Sequence, residues 1–250
     1  SADAFHDAAQ VREAMTQNRP ILPMITLACM ALFCACGGGT GIGPGEIQKR
    51  EDRLRDRLPI DWNNYNANDF TGAIDFFTKT LDQADALEGV EGAKNQVKSE
   101  AQSGIGWSFF RLQDLSAAEQ AFAQATTLDR LNSDAWAGWA GVALALRDFS
   151  DAAQFSNQAL EIDPDYNSAT RVDAAGRFLG HDNVDERHLR LMLAEAYLQS
   201  GAYSAVERKD PNNASAQVRL VDQDFRYKDP GQLLRTISDL ALTLQDPTTN

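Results

Sequence analysis

Cysteine is confined to the start of this 250-residue chain. Cys29, Cys34 and Cys36 are its only three, so no disulfide framework can brace residues 37–250. Histidine is equally scarce, with three in all, which leaves little for a zinc centre or a histidine-based catalytic apparatus. Lysine and arginine (23) are outnumbered by aspartate and glutamate (36). The resulting net charge of −13 excludes nucleic acid as a partner, because phosphates are neutralised by clustered cations. Alternating apolar and polar runs are missing after residue 60, so no sheet is expected, and no glycine-rich phosphate loop follows a strand. Gly-x-Ser-x-Gly is absent as well. The composition therefore points to a cofactor-free, metal-free protein that is not an enzyme.

What is present begins with an apolar run. Residues Ile21 to Ala35 (ILPMITLACMALFCA) carry no charge and follow Arg19. Fifteen residues is too short to span a bilayer and has the length of a secretory signal. The stretch Leu32-Phe33-Cys34-Ala35-Cys36-Gly37 resembles the bacterial lipobox, with Phe33 and Cys34 departing from its usual residues. The resemblance implies an exported lipoprotein lipidated on Cys36. Gly37, in place of an aspartate after that cysteine, directs the expectation to the outer membrane. Residues 1–35 are thus read as an N-terminal extension, up to Met15, and a signal peptide. Residues 36–45, with six glycines from Gly37 onward, are a tether. Residues 46–58, with Glu46/Arg50 and Glu51/Arg55 at helical spacing, are a solvated, charged helical stalk ended by Pro59.

From Pro59 on, apolar residues recur every three or four positions, the pattern of helix after helix. Asp163-Pro164, Asp210-Pro211, Asp229-Pro230 and Asp246-Pro247 mark helix boundaries. The pattern also repeats. Trp62, Tyr65, Phe70, Ala73 and Phe77 answer to Trp107, Phe110, Leu115, Ala118 and Phe122, offset by 45 residues. Leu144, Phe149, Ala152 and Ala159 answer to Phe110, Leu115, Ala118 and Ala125, offset by 34. The segment Gly104 to Arg130, with Gly106 at the helix contact and a turn at Gln113-Asp114, resembles the tetratricopeptide repeat. That resemblance implies an all-α superhelix of stacked helix pairs over residues 59–211. The insertion between the first two copies falls at Glu88 to Lys98, read as a loop. Tyr166 to Phe178 is read as an added helix, and Gly180 to Asn183 as a loop. A fourth unit opens with Leu189 to Tyr203 but has its second helix cut down to Ser204 to Lys209. Two stretches within 212–250, Asn213 to Tyr227 and Gly231 to Leu244, are read as a capping pair.

His181 and His188 stand near Asp182, Asp185 and Glu186, but a separation of seven fits no zinc signature. The expectation is a solvated loop, with Asp182 or Asn183 capping the next helix. By resemblance, the partner-facing groove is lined by the first helices of the pairs. Its expected residues are Trp62, Tyr65 and Asn66, then Trp107, Phe110 and Arg111, then Leu144, and finally Glu195 and Gln199. Trp62 and Trp107 have an alternative place, wedged between pairs as core. The function implied is an envelope scaffold for a protein or peptide partner, held to the membrane by its lipid. Outer-membrane, secretion or cell-wall assembly would be its setting. The alternative is a permanent structural subunit of an envelope complex. Least favoured is a hydrolase, for which His181 and His188 would be the histidine candidates.

Overall fold

The repeat read in the sequence is built by its turns. Asn68, Gln113 and Arg147 adopt left-handed conformations, with φ of 63°, 63° and 64°, and stand at the two offsets of the sequence repeat. At each, the amide of the next residue reaches back five positions, as from Asp114 to the Phe109 carbonyl (3.0 Å). This closure satisfies carbonyls that a helix end would otherwise leave unpaired. The residue that follows is each time an aspartate whose carboxylate caps the next helix. Asp69 accepts from the Gly72 amide (2.9 Å), Asp114 from Ala117 (3.1 Å) and Asp148 from Asp151 (3.2 Å).

The computed structural model describes residues 43–88, 90–173, 175–204 and 211–245, which fall in one compact unit. Cys36 and the export segment lie outside the described residues. The helices are α1 (Pro44–Arg55), α2 (Leu58–Asn66), α3 (Phe70–Asp85), α4 (Glu91–Arg111) and α5 (Leu115–Leu128). They continue as α6 (Ser133–Ala145), α7 (Phe149–Ile162), α8 (Glu186–Gln199), α9 (Ala214–Val221) and α10 (Pro230–Gln245). Among the described residues there is no strand, only two isolated bridges. The fold is all-α: α2/α3, α4/α5, α6/α7 and α8/α9 are consecutive pairs in a tetratricopeptide-like stack.

One knob-and-notch contact joins the pairs, and it too repeats. Phe77 of α3 lies against Gly104 of α4, and Phe122 of α5 lies against Gly138 of α6, the equivalent glycine of the next pair. A methyl group at either glycine would run into the ring. Phe122 also faces Gly106, the small residue expected at the helix contact. Trp62 meets Phe77 edge-on at 5.1 Å, and Trp107 meets Phe122 at 5.6 Å. Both phenylalanines are fully buried, each contributing about 1.5–3 kcal/mol of apolar transfer.

Several expectations are corrected. The charged stretch 46–58 is helical as expected, through Arg55, but it is not a free stalk: Leu54 and Leu58 are buried in the core, Arg50 donates to the Glu88 carbonyl (3.2 Å), and Arg55 to Gln96 (2.9 Å). The first helix ends at Arg55, ahead of Pro59, and Pro59 itself sits in the first turn of α2, where its missing amide costs nothing. Residues 91–98 are helical, so the loop before α4 is shorter than expected. Among its described residues, Tyr166 to Phe178 holds no α-helix, only a 3-10 turn at Ser168–Thr170.

In the fourth pair the short second helix expected at Ser204 to Lys209 lies, apart from Ser204, outside the described residues. Gly201 (φ 80°) occupies the left-handed turn position, yet Ala202 stands where the capping aspartate would be. Asn213 caps α9 by accepting from the Ala216 amide (2.9 Å). The Ala214 amide donates to the Ala202 carbonyl (2.9 Å), tying the start of α9 to the turn after α8. Residues 214–221 therefore pair with α8, and among the described residues α10 closes the stack, packing Leu233 and Ile237 onto Ala194, Leu198 and Val218.

Candidate functional site

The link from α7 to α8 is a clasped loop. Asn167 bridges Asp185 and Val172 bridges Phe178, both antiparallel. The Ser168 amide donates to the Val184 carbonyl (2.8 Å), and the His181 amide to the Ser168 carbonyl (3.1 Å). Arg177 ties the outer hairpin to Asp173 (3.0 Å) and, on the segment just after α1, to Asp56 (2.9 Å). Gly180 is required where the loop passes closest to itself: a Cβ there would sit 2.5 Å from the Ala169 carbonyl oxygen.

This loop rests on the first helices of the first three pairs, the face expected to form the groove. The His181 imidazole lies parallel to the Trp62 ring, with centroids 4.2 Å apart and planes 8° from parallel. Trp107 flanks it at 5.1 Å and Tyr65 at 5.7 Å. Asn66 donates its side-chain amide to the Gly180 carbonyl (2.9 Å). Asp182 accepts from the Tyr65 hydroxyl and from the Arg111 guanidinium (2.5 Å).

Trp62, Tyr65 and Trp107 are consequently buried, Asn66 and Arg111 stay at the exposed rim, and Phe110 is half-buried. These six are brought to one face. Leu144 is not among them: it packs in the cluster of Trp136, Trp139 and Phe155. Glu195 and Gln199 lie on α8, half-buried and exposed respectively.

At the centre stands a residue that sequence reasoning passed over. Asp134, in the first turn of α6, is wholly buried. It accepts from Ser103 (2.6 Å) and the Trp107 indole (3.1 Å) on α4, and from Tyr166 (2.7 Å) and His181 Nε2 (2.8 Å) on the loop. The Arg171 guanidinium, also from the loop, stands 3.2 Å away. Burial alone would raise the Asp134 carboxyl, but Arg171 and His181 overcome it and hold it far below the usual carboxylate range. Arg171 is shared with Glu100 (2.6 Å), whose other oxygen accepts from the Trp62 indole (3.0 Å). Burial disfavours the charged form of His181, yet its contact with Asp134 prevails and raises its pKa. The signal that could have found this cluster was in the sequence: Glu100, Ser103 and Trp107 recur at three- and four-residue spacing on one face of α4, and Asp134 follows at the start of the next pair.

His181 is thus not in a solvated loop, and its side chain has no exposed surface through which to touch a substrate. The cap of α8 is Asp185, which accepts from the Arg187 amide (3.1 Å) and the His188 amide (3.3 Å), rather than Asp182 or Asn183. Among the described residues no group of His, Cys, Asp and Glu side chains is arranged to hold a metal ion. Two cavities flank the loop. A polar cleft of about 520 Å³ opens between Gln96 and Glu100 of α4 and Asp165 and Arg171 of the loop. A more apolar one of about 690 Å³ is lined by Trp107, Phe110, Arg111, Val184, His188 and Leu244.

No protein-family model matches the chain, and no curated protein matches it. Among solved structures it is similar to the first tetratricopeptide domain of Spaghetti (RPAP3), solved with the HSP90 peptide SRMEEVD. That likeness has 17% identity over 51% of this chain and 87% of that one, with a TM-score of 0.35. Two structures of MamA are similar at 13% and 14% identity, covering 78% and 73% of this chain and 94% and 95% of theirs, with TM-scores of 0.33 and 0.34. The fold assignment stands on the chain's own repeated turns, caps and phenylalanine–glycine contacts: this is a tetratricopeptide-like stack of helix pairs whose first-helix face is occupied by its own interhelical loop.

Proposed function

We propose that the chain is a protein-interaction scaffold of the cell envelope, exported and tethered through a lipid on Cys36, with the outer membrane as its seat. The observation that carries the scaffold reading is the manner in which one face holds an irregular stretch of chain. Asn66 reads a main-chain carbonyl, Trp62 and Trp107 flank a side chain, and Tyr65 with Arg111 take a carboxylate. These are the means by which such a face grips an extended peptide. The envelope reading is supported by the uncharged run before Cys36 and the glycines after it. Within the described residues no helix is long and apolar enough to cross a membrane.

The anchor is tested by feeding a fatty-acid probe to a bacterial host expressing the chain. Label should enter the parent and be lost in Cys36→Ala; equal labelling of both refutes the anchor. The scaffold role is tested by crosslinking in native membranes before detergent extraction. A stoichiometric protein partner is expected, and its absence refutes the role.

A second reading, a permanent structural subunit, is favoured by the filled face. It would place the partner contact elsewhere. Leu112 and Leu146, at equivalent turn positions of successive pairs, are both exposed. Loss of the crosslinked partner in Leu112→Glu/Leu146→Glu would favour that reading.

A further inference from the structure

The loop on the first-helix face is locked at one end and held at a cost at the other. Its incoming arm is fixed by Tyr166 and Arg171 onto Asp134 and Glu100. Its tip, Gly180-His181-Asp182, carries the cost. Asp182 sits at a φ of 32°, a left-handed conformation that side chains rarely adopt. His181 Nδ1 is buried with no hydrogen-bond partner. The tip thus meets the face only under strain, and the cavity of about 690 Å³ beside Asp182 is where chain continuing past the carboxylate would run.

We propose that the tip is an internal stand-in for the true ligand: the face binds an extended peptide of a partner protein in which a flat, cation-forming side chain, histidine or arginine, is followed directly by a carboxylate and then by apolar residues, and binding displaces the Gly180–Asp182 tip. The first side chain enters between Trp62 and Trp107, toward the negative charge of Asp134. The carboxylate meets Tyr65 and Arg111, and the apolar residues enter the cavity lined by Phe110 and Leu244. A peptide free of the Ser168 clasp can place its carboxylate without the left-handed turn. The inference rests on the scaffold reading and specifies its ligand.

The test uses the full chain and a fluorescein-labelled synthetic peptide with the sequence of residues 177–184 carrying Asn183→Leu, so that apolar residues follow the aspartate. Gly180→Val loosens the tip, since its side chain would meet the Ala169 carbonyl oxygen, while every side chain of the binding face is left in place. Because an occupied site lowers apparent affinity by the fraction of molecules that are open, Gly180→Val should bind the peptide about tenfold or more tightly than the parent. Adding Arg111→Ala, or replacing the peptide's aspartate at the position of Asp182 by alanine, should reverse the gain. Equal binding by parent and Gly180→Val, or a gain insensitive to Arg111→Ala, overturns the proposal. If Gly180→Val does not fold, hydrogen exchange on the parent decides: amides of residues 180–184 should exchange faster with millimolar peptide, and unchanged exchange overturns the proposal. Failure here leaves the scaffold reading standing as long as native crosslinking still yields a partner; failure of crosslinking alone removes the scaffold and not the peptide-binding face.

Discussion

Replacing Asp134 by asparagine isolates what holds the loop to the stack. The substitution keeps the shape of the side chain, removes its charge, and turns one acceptor oxygen into a donor amid Ser103, Trp107, Tyr166, His181 and Arg171, all of which point donors at it. Removing one partner of a buried ion pair costs about 3–5 kcal/mol, because the remaining charge stays in a poor solvent. For a chain of this size each kcal/mol shifts the melting temperature by roughly 2–4 °C, so a drop of roughly 6–20 °C is expected. Asp165→Asn, on the exposed part of the same loop, is the control and should stay within about 0.5 kcal/mol of the parent.

The same variant carries a pH signature. His181 has a raised pKa in the folded state, so its contribution is fully present below about pH 6.5 and is lost as pH rises through the raised value. Asp134 has a depressed one, so its contribution is present above about pH 3.9 and is lost as pH falls toward the depressed value. Urea midpoints of the parent should therefore fall from pH 6 to pH 9, and in Asp134→Asn that slope should flatten. A loss under about 1 kcal/mol, or an unchanged slope, would refute the placement of Asp134 at the centre of the cluster.

Asp61 offers the opposite case. It is buried with Oδ1 unpartnered, and burial raises its pKa despite Thr80 and Arg57, so its charge is a burden that grows as pH rises. Asp61→Asn should cost under about 1 kcal/mol in urea denaturation at pH 7, several-fold less than Asp134→Asn. Within α6, Gly138→Ala should destabilise by about 1–3 kcal/mol because its methyl meets Phe122. Gly141→Ala, whose methyl would find only ordinary van der Waals contacts, should stabilise by about 0.5–1 kcal/mol; equal effects in thermal melts would contradict the notch geometry. Trp107→Ala should cost about 3–5 kcal/mol by denaturant titration, whereas Arg111→Ala, at the exposed rim, should cost under about 1 kcal/mol.

The helix pairs were legible because their signal is local and repeated. An aspartate closes the turn after each of the first three first helices, and Trp62 and Phe77 to either side of Asp69 have their counterparts in Trp107 and Phe122 to either side of Asp114. Each contact these residues make within the stack is with their own pair or the next. The loop was illegible for the opposite reason. Tyr166, Ala169, Arg171 and Phe178 can be arranged on a helix, but that conformation would strand Asp134 and Glu100 without the cations that neutralise them. What decided the outcome was a pairing between Arg171 and Glu100 across 71 residues, and between His181 and Asp134 across 47. Periodicity carries no information about partners so far apart. Asn213 taught a smaller lesson of the same kind: a cap that stands away from the turn it answers to disguises a second helix as a separate element.

The loop also changes how the stack should come apart. In a plain array each pair touches only its neighbours, and ends can fray independently. Here one segment engages Trp62, Tyr65 and Asn66 on α2, Glu100, Trp107 and Arg111 on α4, and Asp134 on α6, while Arg177 reaches Asp52 of α1. Opening the first pair therefore exposes charges belonging to the third. The buried acids Asp134 and Glu100 are matched by Arg171 and a protonated His181, so the weld is neutral only while that histidine keeps its proton. Neutral to mildly acidic conditions should give a single cooperative transition across α1 to α7. Alkaline conditions, by uncharging His181, should weaken the weld and let the pairs reveal their separate stabilities.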